Sequence, residues 1–351
     1  MPSRKPIRAL VVDDSHFVRT VVSDILEKQD INVVDTARNG AEAVQKVAEL
    51  SPDVVTMDVE MPEMGGIEAV DVIMNENPTP ILMLSAHTEE GAQTTFDALE
   101  KGAIDFYPKP GGEVSTRLSN HEEKLASLVR SVAAAEVSQR SVEHETPEPA
   151  KNRTYVNYPT LLMGSSTGGP QVVEHILSSL PGNTDLRILI VQHMPASFTS
   201  RFARRLDSAC DFDVVEGEDG LRIGGGEAVV APGDRHLVVD SYARGRLRLR
   251  LSDDPPVHSS RPAVDPMMKS AADTITDSLV GVILTGMGKD GAAGIEALKQ
   301  VGATTIAQDK STSAVDSMPR HAIETGCVDF VKPDQSIPET ILEAISTSDT
   351  S

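Results

Sequence analysis

Short β-branched runs alternate with helical stretches from the start of the chain, and each run ends at a residue able to do chemistry. Residues 7–12 read as a strand, and residues 15–28 carry Phe17, Val18, Val21, Val22 and Ile25 at helical spacing. Strand-like runs follow at 31–36, 54–57, 81–84 and 104–107, separated by helical segments at 41–50, after Gly66 and at 89–101. A last helix is expected over 122–135. Such an alternation folds as a parallel, doubly wound α/β sheet. Strands this continuously apolar fit burial on both faces.

In these sheets function collects at the carboxyl ends of the strands. The ends here deliver Asp13 and Asp14, then Asp58, Ser85 and Lys109. Three carboxylates at one edge repel one another and raise their own pKa values. A hard divalent cation with oxygen ligands, Mg²⁺, resolves that repulsion and lets a phosphoryl group approach one of the carboxylates. The serine and the lysine then meet the phosphoryl oxygens. Over roughly residues 5–125, Val12-Asp13-Asp14-Ser15, Met57-Asp58-Val59-Glu60-Met61-Pro62, Leu84-Ser85-Ala86 and Lys109-Pro110 resemble the response-regulator receiver family. The resemblance implies that Asp58 is the phosphoacceptor and that Asp13, Asp14, Asp58 and the backbone carbonyl of Glu60 hold Mg²⁺. It also implies that Ser85 and Lys109 bind the phosphoryl group, that Phe106 is the switch aromatic, and that a histidine kinase is the phosphodonor. The Lys109–Pro110 bond is often cis in that family.

A chain of 351 residues needs more than one ordinary core. The expected division is a receiver over 1–125, a linker over 126–156 that includes Pro147 and Pro149, and a catalytic domain over 157–348. Fifty-three acidic against thirty-two basic residues give a net charge of −21, spread over both halves, which excludes a nucleic-acid partner. The excess reads as surface solvation, as in proteins from a salty cytoplasm. No apolar run is long enough for membrane insertion, and the N-terminus shows no signal-peptide pattern, so a cytoplasmic location is expected. Cys210 and Cys327 stand far apart, which suggests a reducing compartment and no structural zinc.

In the second half, an apolar strand at 160–163 runs into Gly164-Ser165-Ser166-Thr167-Gly168-Gly169 and then a helix at 172–180. A serine between glycines on a strand-to-helix turn matches the G-x-S-x-G elbow, although a phosphate-cradling loop has the same look. A nucleophile needs a base and a group that orients the base. The strand at 187–191 delivers His193, and the strand at 279–284 leads to Asp290 between glycines. His236, His258 and His321 are other candidate bases, and the Ser, Asp, His order of α/β-hydrolases would favour His321.

The motifs Gly164-Ser165-Ser166-Thr167-Gly168-Gly169, Gln192-His193-Met194-Pro195, Ala231-Pro232-Gly233-Asp234-Arg235-His236, Arg261-Pro262-Ala263-Val264-Asp265 and Leu284-Thr285-Gly286-Met287-Gly288-Lys289-Asp290-Gly291 resemble the CheB family catalytic domain. So do Gln308-Asp309-Lys310-Ser311-Thr312-Ser313 and Met318-Pro319-Arg320. The resemblance covers about 157–335 and implies a larger doubly wound α/β hydrolase-type domain. It makes Ser166 the nucleophile, His193 the base and Asp290 its orienter, with the backbone near Met287 and Thr167 at the oxyanion. Two positions depart from the pattern: Ser165 stands where alanine is common, and Lys289 replaces a frequent asparagine. The implied activity is hydrolysis of glutamate γ-methyl esters on methyl-accepting chemoreceptors, with deamidation of receptor glutamines beside it and no cofactor for hydrolysis. The receiver is expected to cover the Ser166 edge until Asp58 is phosphorylated. The rival reading is a non-enzymatic response regulator whose second half binds a partner or a phosphorylated ligand.

Overall fold

The computed structural model describes residues 5–85, 89–109, 118–135 and 153–347. Ala86, Pro110 and much of the expected linker, with His144, lie outside those residues. Two compact units meet in sequence at residues 142 and 143.

The first unit runs β1 (Arg8–Val12), α1 (His16–Lys28), β2 (Asn32–Ala37), α2 (Gly40–Leu50), β3 (Val54–Asp58), α3 (Gly66–Glu76), β4 (Ile81–Ser85), α4 (Glu89–Glu100), β5 (Asp105–Pro108) and α5 (Leu118–Ala133). The strands form one parallel sheet in the order β2-β1-β3-β4-β5. Every residue of β3 and β4 is buried, which is why those runs are apolar without alternation. Side chains set the helix starts: Ser15 caps α1, and Asn39 accepts from the Glu42 N–H at 2.8 Å to cap α2. Helix α5 begins four residues before the expected start of 122 and runs past residue 125. Leu125, Ala126, Val129 and Val132 keep helical spacing and pack with Val22, Leu26 and Leu82 in the core.

The second unit runs β6 (Thr160–Ser165), α6 (Gly169–Ser179), β7 (Arg187–Gln192), α7 (Ala196–Ala209), β8 (Asp213–Glu216), β9 (Arg222–Ile223), β10 (Glu227–Val230), β11 (His236–Ala243), β12 (Arg246–Ser252), α8 (Val264–Thr274), β13 (Leu279–Ile283), α9 (Ala292–Gln300), β14 (Thr304–Gln308), α10 (Ser317–Glu324), β15 (Phe330–Lys332) and α11 (Ile337–Ile345). Seven strands pair in parallel in the order β15-β14-β13-β6-β7-β10-β8. After β6 the chain builds outward on one side through β7, then returns to lay β13 on the other. The carboxyl end of β6 is therefore the topological switch point, where such sheets hold their ligands.

A small antiparallel sheet, β11-β12-β9, stands apart from the main one. Leu247 and Leu249 of β12 point inward against Met267, Met268 and Ala271 of α8, while Arg246, Arg248 and Arg250 alternate outward. At the amino end of the main sheet the fully buried Arg187 bonds Thr160 Oγ1 at 3.1 Å, the Gly245 carbonyl at 3.0 Å, the Tyr158 carbonyl and Asp277. Among the described residues no helix is long and apolar enough to cross a membrane.

Candidate active site and phosphorylation site

Strand register brings the second-unit residues to one level. Ser165 pairs with Gln192 and Gly164 with Ile283, so Ser166, His193 and the residues after β13 leave the sheet side by side. The ladder continues past the strands: the His193 N–H donates to the Ser165 carbonyl at 2.9 Å, and the Ser166 N–H to the Thr285 carbonyl at 3.0 Å. The turn that follows Ser166 reverses tightly at Gly168, whose φ of +73° is strained for a residue with a Cβ.

His193 Nε2 lies 2.9 Å from Asp290 Oδ2. That oxygen also accepts from the Val264 N–H at 2.7 Å, and Oδ1 accepts from the Asp265 N–H at 3.0 Å. Burial alone would push the Asp290 carboxyl up. The bond to His193, its charge and the two amide donors outweigh burial and hold the group below the usual carboxylate value. The acid is thus kept ionised and aimed at the imidazole. Nε2 is therefore the ring nitrogen of His193 that meets the carboxylate.

The other histidines are committed elsewhere. His236 is buried, with Nε2 3.2 Å from the Pro255 carbonyl and Nδ1 accepting from the Ala263 N–H at 3.2 Å. His321 Nδ1 meets the Ser317 carbonyl of its own helix at 2.7 Å, and His258 Nε2 meets Asp265 at 3.1 Å. Thr167 is buried, and its carbonyl accepts from the Thr285 hydroxyl at 2.9 Å; Met287 stands 37% exposed.

Gln192 has a part that sequence reading does not reach. Its amide donates to the carbonyls of Ser166 (2.8 Å) and His193 (3.1 Å), tying the two turns together. Its oxygen accepts from the buried Ser165 hydroxyl at 2.6 Å, so the serine that departs from the pattern orients this amide. Gln192 is visible in the sequence only as the neighbour of a histidine.

In the first unit, Asp13, Asp14 and Asp58 bring carboxylate oxygens within 4.8 Å of one another. Lys109 Nζ lies 2.7 Å from Asp58 and 2.9 Å from Asp13 Oδ2. Lys109 thus holds both buried carboxylates at charge-assisted hydrogen-bond distance. Burial and the Asp13 charge lift Asp58 from 3.8 to about 6, against the pull of Lys109 and of the Glu60 N–H. The lysine itself is held above its ordinary value: burial lowers it, and the two carboxylates more than compensate. The all-oxygen donor set of Asp13, Asp14 and Asp58 fits a hard divalent cation. Ser85 is buried, accepts from the Thr95 hydroxyl at 2.8 Å, and takes the Lys109 N–H on its carbonyl at 2.8 Å. Phe106 is buried edge-on to Phe96, with centroids 6.0 Å apart.

Residues 161–341 match a family model described as CheB methylesterase, and residues 9–118 match the response regulator receiver domain. A protein-glutamate methylesterase/protein-glutamine glutaminase of Halobacterium salinarum is 57% identical over 340 residues, covering 96% of this chain and 98% of its own length. One of the same description from Haloarcula marismortui is 54% identical, covering 97% and 98%. The crystal structure of the Thermotoga maritima CheB methylesterase catalytic domain aligns at 40% identity with a TM-score of 0.52, over 54% of this chain and all of that one.

Proposed function

The chain belongs to the CheB methylesterase family, with a response-regulator receiver ahead of the catalytic unit, and from that premise we infer a mechanism in which Ser166 is the nucleophile, His193 the general base and Asp290 the acid that orients it. The substrates are glutamate γ-methyl esters on methyl-accepting chemoreceptors. The observation that carries this reading is the 2.9 Å contact between His193 Nε2 and the amide-anchored Asp290, on the strand edge where the Ser166 turn also ends.

His193 Nδ1 removes the Ser166 proton as Oγ bonds to the ester carbonyl carbon. The carbonyl oxygen becomes an oxyanion beside the backbone of Met287 and Thr167, where each N–H donor contributes about 3–4 kcal/mol. The Ser166 N–H does not serve there, since the Thr285 carbonyl holds it. His193 returns its proton to the departing methoxide, and methanol leaves. Water, deprotonated by the same imidazole, cleaves the acyl-enzyme to free glutamate and regenerate Ser166. A glutamine side chain follows the same course with ammonia as the leaving group, and hydrolysis uses no cofactor.

Asp58 accepts a phosphoryl group from a chemotaxis histidine kinase, and phosphorylation raises the esterase rate. Asp13, Asp14, Asp58 and the Glu60 carbonyl would hold Mg²⁺, which when bound offsets the charge of the carboxylates and of an incoming phosphoryl group. Lys109 and Ser85 bind phosphoryl oxygens, and Phe106 responds to Ser85. These partners set the protein in the cytoplasm. Comparing His193→Ala with His321→Ala in methanol release from methylated receptor membranes tests the choice of base. His193→Ala should lose at least about 10³-fold in kcat and His321→Ala should stay near wild type. The reverse order would overturn the assignment.

A further inference from the structure

Behind Asp290 lies a second buried acid. Asp265, in the first turn of α8, is 2% exposed. Its Oδ1 accepts from the N–H groups of Gly291 at 3.0 Å and Gly294 at 2.8 Å, and its Oδ2 meets His258 Nε2 at 3.1 Å. Gly291 and Gly294 open α9, the helix that Asp290 precedes. Asp290 in turn takes the N–H groups of Val264 and Asp265, which open α8. Each acid therefore caps the other's helix. A carboxylate at a helix N-terminus satisfies orphan donors and meets the positive end of the dipole, and here the arrangement occurs twice, face to face.

This exchange fixes Asp290 from two directions: through its own acceptors, and through the helix start to which it is attached. The helices can approach this closely because Gly294 has no side chain; a Cβ there would lie 2.7 Å from Met268 Cβ. His258 reaches Asp265 from a turn in which His258 and Ser259 both have positive φ, 50° and 63°, closed by paired bonds between Val257 and Ser260. Two successive non-glycine residues in that region persist only where the surroundings over-determine them. The carboxylates of Asp265 and Asp290 with His258 also have the spacing of a cation site. Their oxygens are already taken by four amide donors at two helix N-termini, surroundings that favour an anion over a cation.

We propose that Asp265 and His258 are a positioning pair for the esterase site: Asp265 locks the helix start that carries Asp290, and His258 holds Asp265. The proposal rests on the reading of Ser166, His193 and Asp290 as the reacting triad. A misplacement of about 1 Å at such a site costs on the order of 10²-fold. The full-length chain is tested as Asp265→Asn, His258→Gln, His258→Ala and Ser166→Ala, by methanol release across pH, with Asp58 phosphorylation as a check on the receiver. Asp265→Asn should lower kcat by about 10–100-fold with KM within about two-fold. It should also move the acidic limb of the pH profile to lower pH, because a negative charge behind the imidazolium is gone. His258→Ala should lose several-fold in kcat, and His258→Gln, which still donates a hydrogen bond, should recover most of it. If Asp265→Asn does not fold, the two His258 variants decide. Unchanged kcat and pH profile in the folded variants, or a lower melting temperature alone, would overturn the positioning role while an inactive Ser166→Ala leaves the triad standing. Activity in Ser166→Ala would overturn the triad, and the positioning role with it.

Discussion

Burial of Asp58 beside a second carboxylate should cost stability, and replacing it should show by how much. Its side chain is 4% exposed, beside Asp13, and its carboxyl is lifted from 3.8 to about 6. At 1.36 kcal/mol per pKa unit, that rise corresponds to about 3 kcal/mol. The sign follows from proton binding. Between pH 3.8 and about 6 the unfolded chain has released the proton and the folded one still holds it, so stability falls as pH rises through this window and stays low above it. Asp58→Asn removes the charge while keeping the shape. In excess EDTA at pH 7.5 it should stabilise the first unit by as much as about 3 kcal/mol, and below pH 4 the gain should vanish. The assay is hydrogen exchange of the β3 amides in the full-length chain, corrected for intrinsic rates, since this buried central strand exchanges only with extensive opening. Protection should rise by up to about 10²-fold at pH 7.5 and not at pH 4. Faster exchange in the variant, or a gain equal at both pH values, would refute the burial argument.

The same probe reads the cation: Mg²⁺ at 100 times its Kd should protect β3 by about 2.7 kcal/mol in wild type, and Asp13→Asn should lose most of that response. In the second unit, Arg187→Ala strips partners from Asp277, Thr160 and two backbone carbonyls. It should cost about 3–5 kcal/mol in denaturant unfolding followed by circular dichroism, and a loss under 1 kcal/mol would show the arginine to be dispensable.

What could be read in the sequence was what local pattern encodes. The inner strands of both parallel sheets are apolar because they are buried on both faces, and Asp58, Lys109, Ser166, His193 and Asp290 became candidates because they lie at or beyond the carboxyl ends of such strands. The small sheet did not stand out. Residues 246–252 alternate cleanly, but their partner β9 is two residues long and has no periodicity to detect. Spacing also left four candidate bases, and ring contacts separate only two of them: His236 and His321 touch backbone carbonyls, His193 and His258 each a buried acid, and the bond of the His193 N–H to the Ser165 carbonyl puts His193 beside the Ser166 turn. Gln192 and Asp265 belong to recognisable motifs, yet their parts depend on amides and carbonyls contributed by segments about 25 residues away. Main-chain geometry of that kind leaves no mark on composition or period.

The most direct test is methanol release from methylated receptor membranes by wild type and Ser166→Ala, each with and without a small phosphodonor and Mg²⁺. Release that rises with phosphodonor in wild type and is abolished in Ser166→Ala is the predicted result. Release by Ser166→Ala at the wild-type rate, or none from wild type whose Asp58 is phosphorylated, would contradict a phosphorylation-controlled serine esterase.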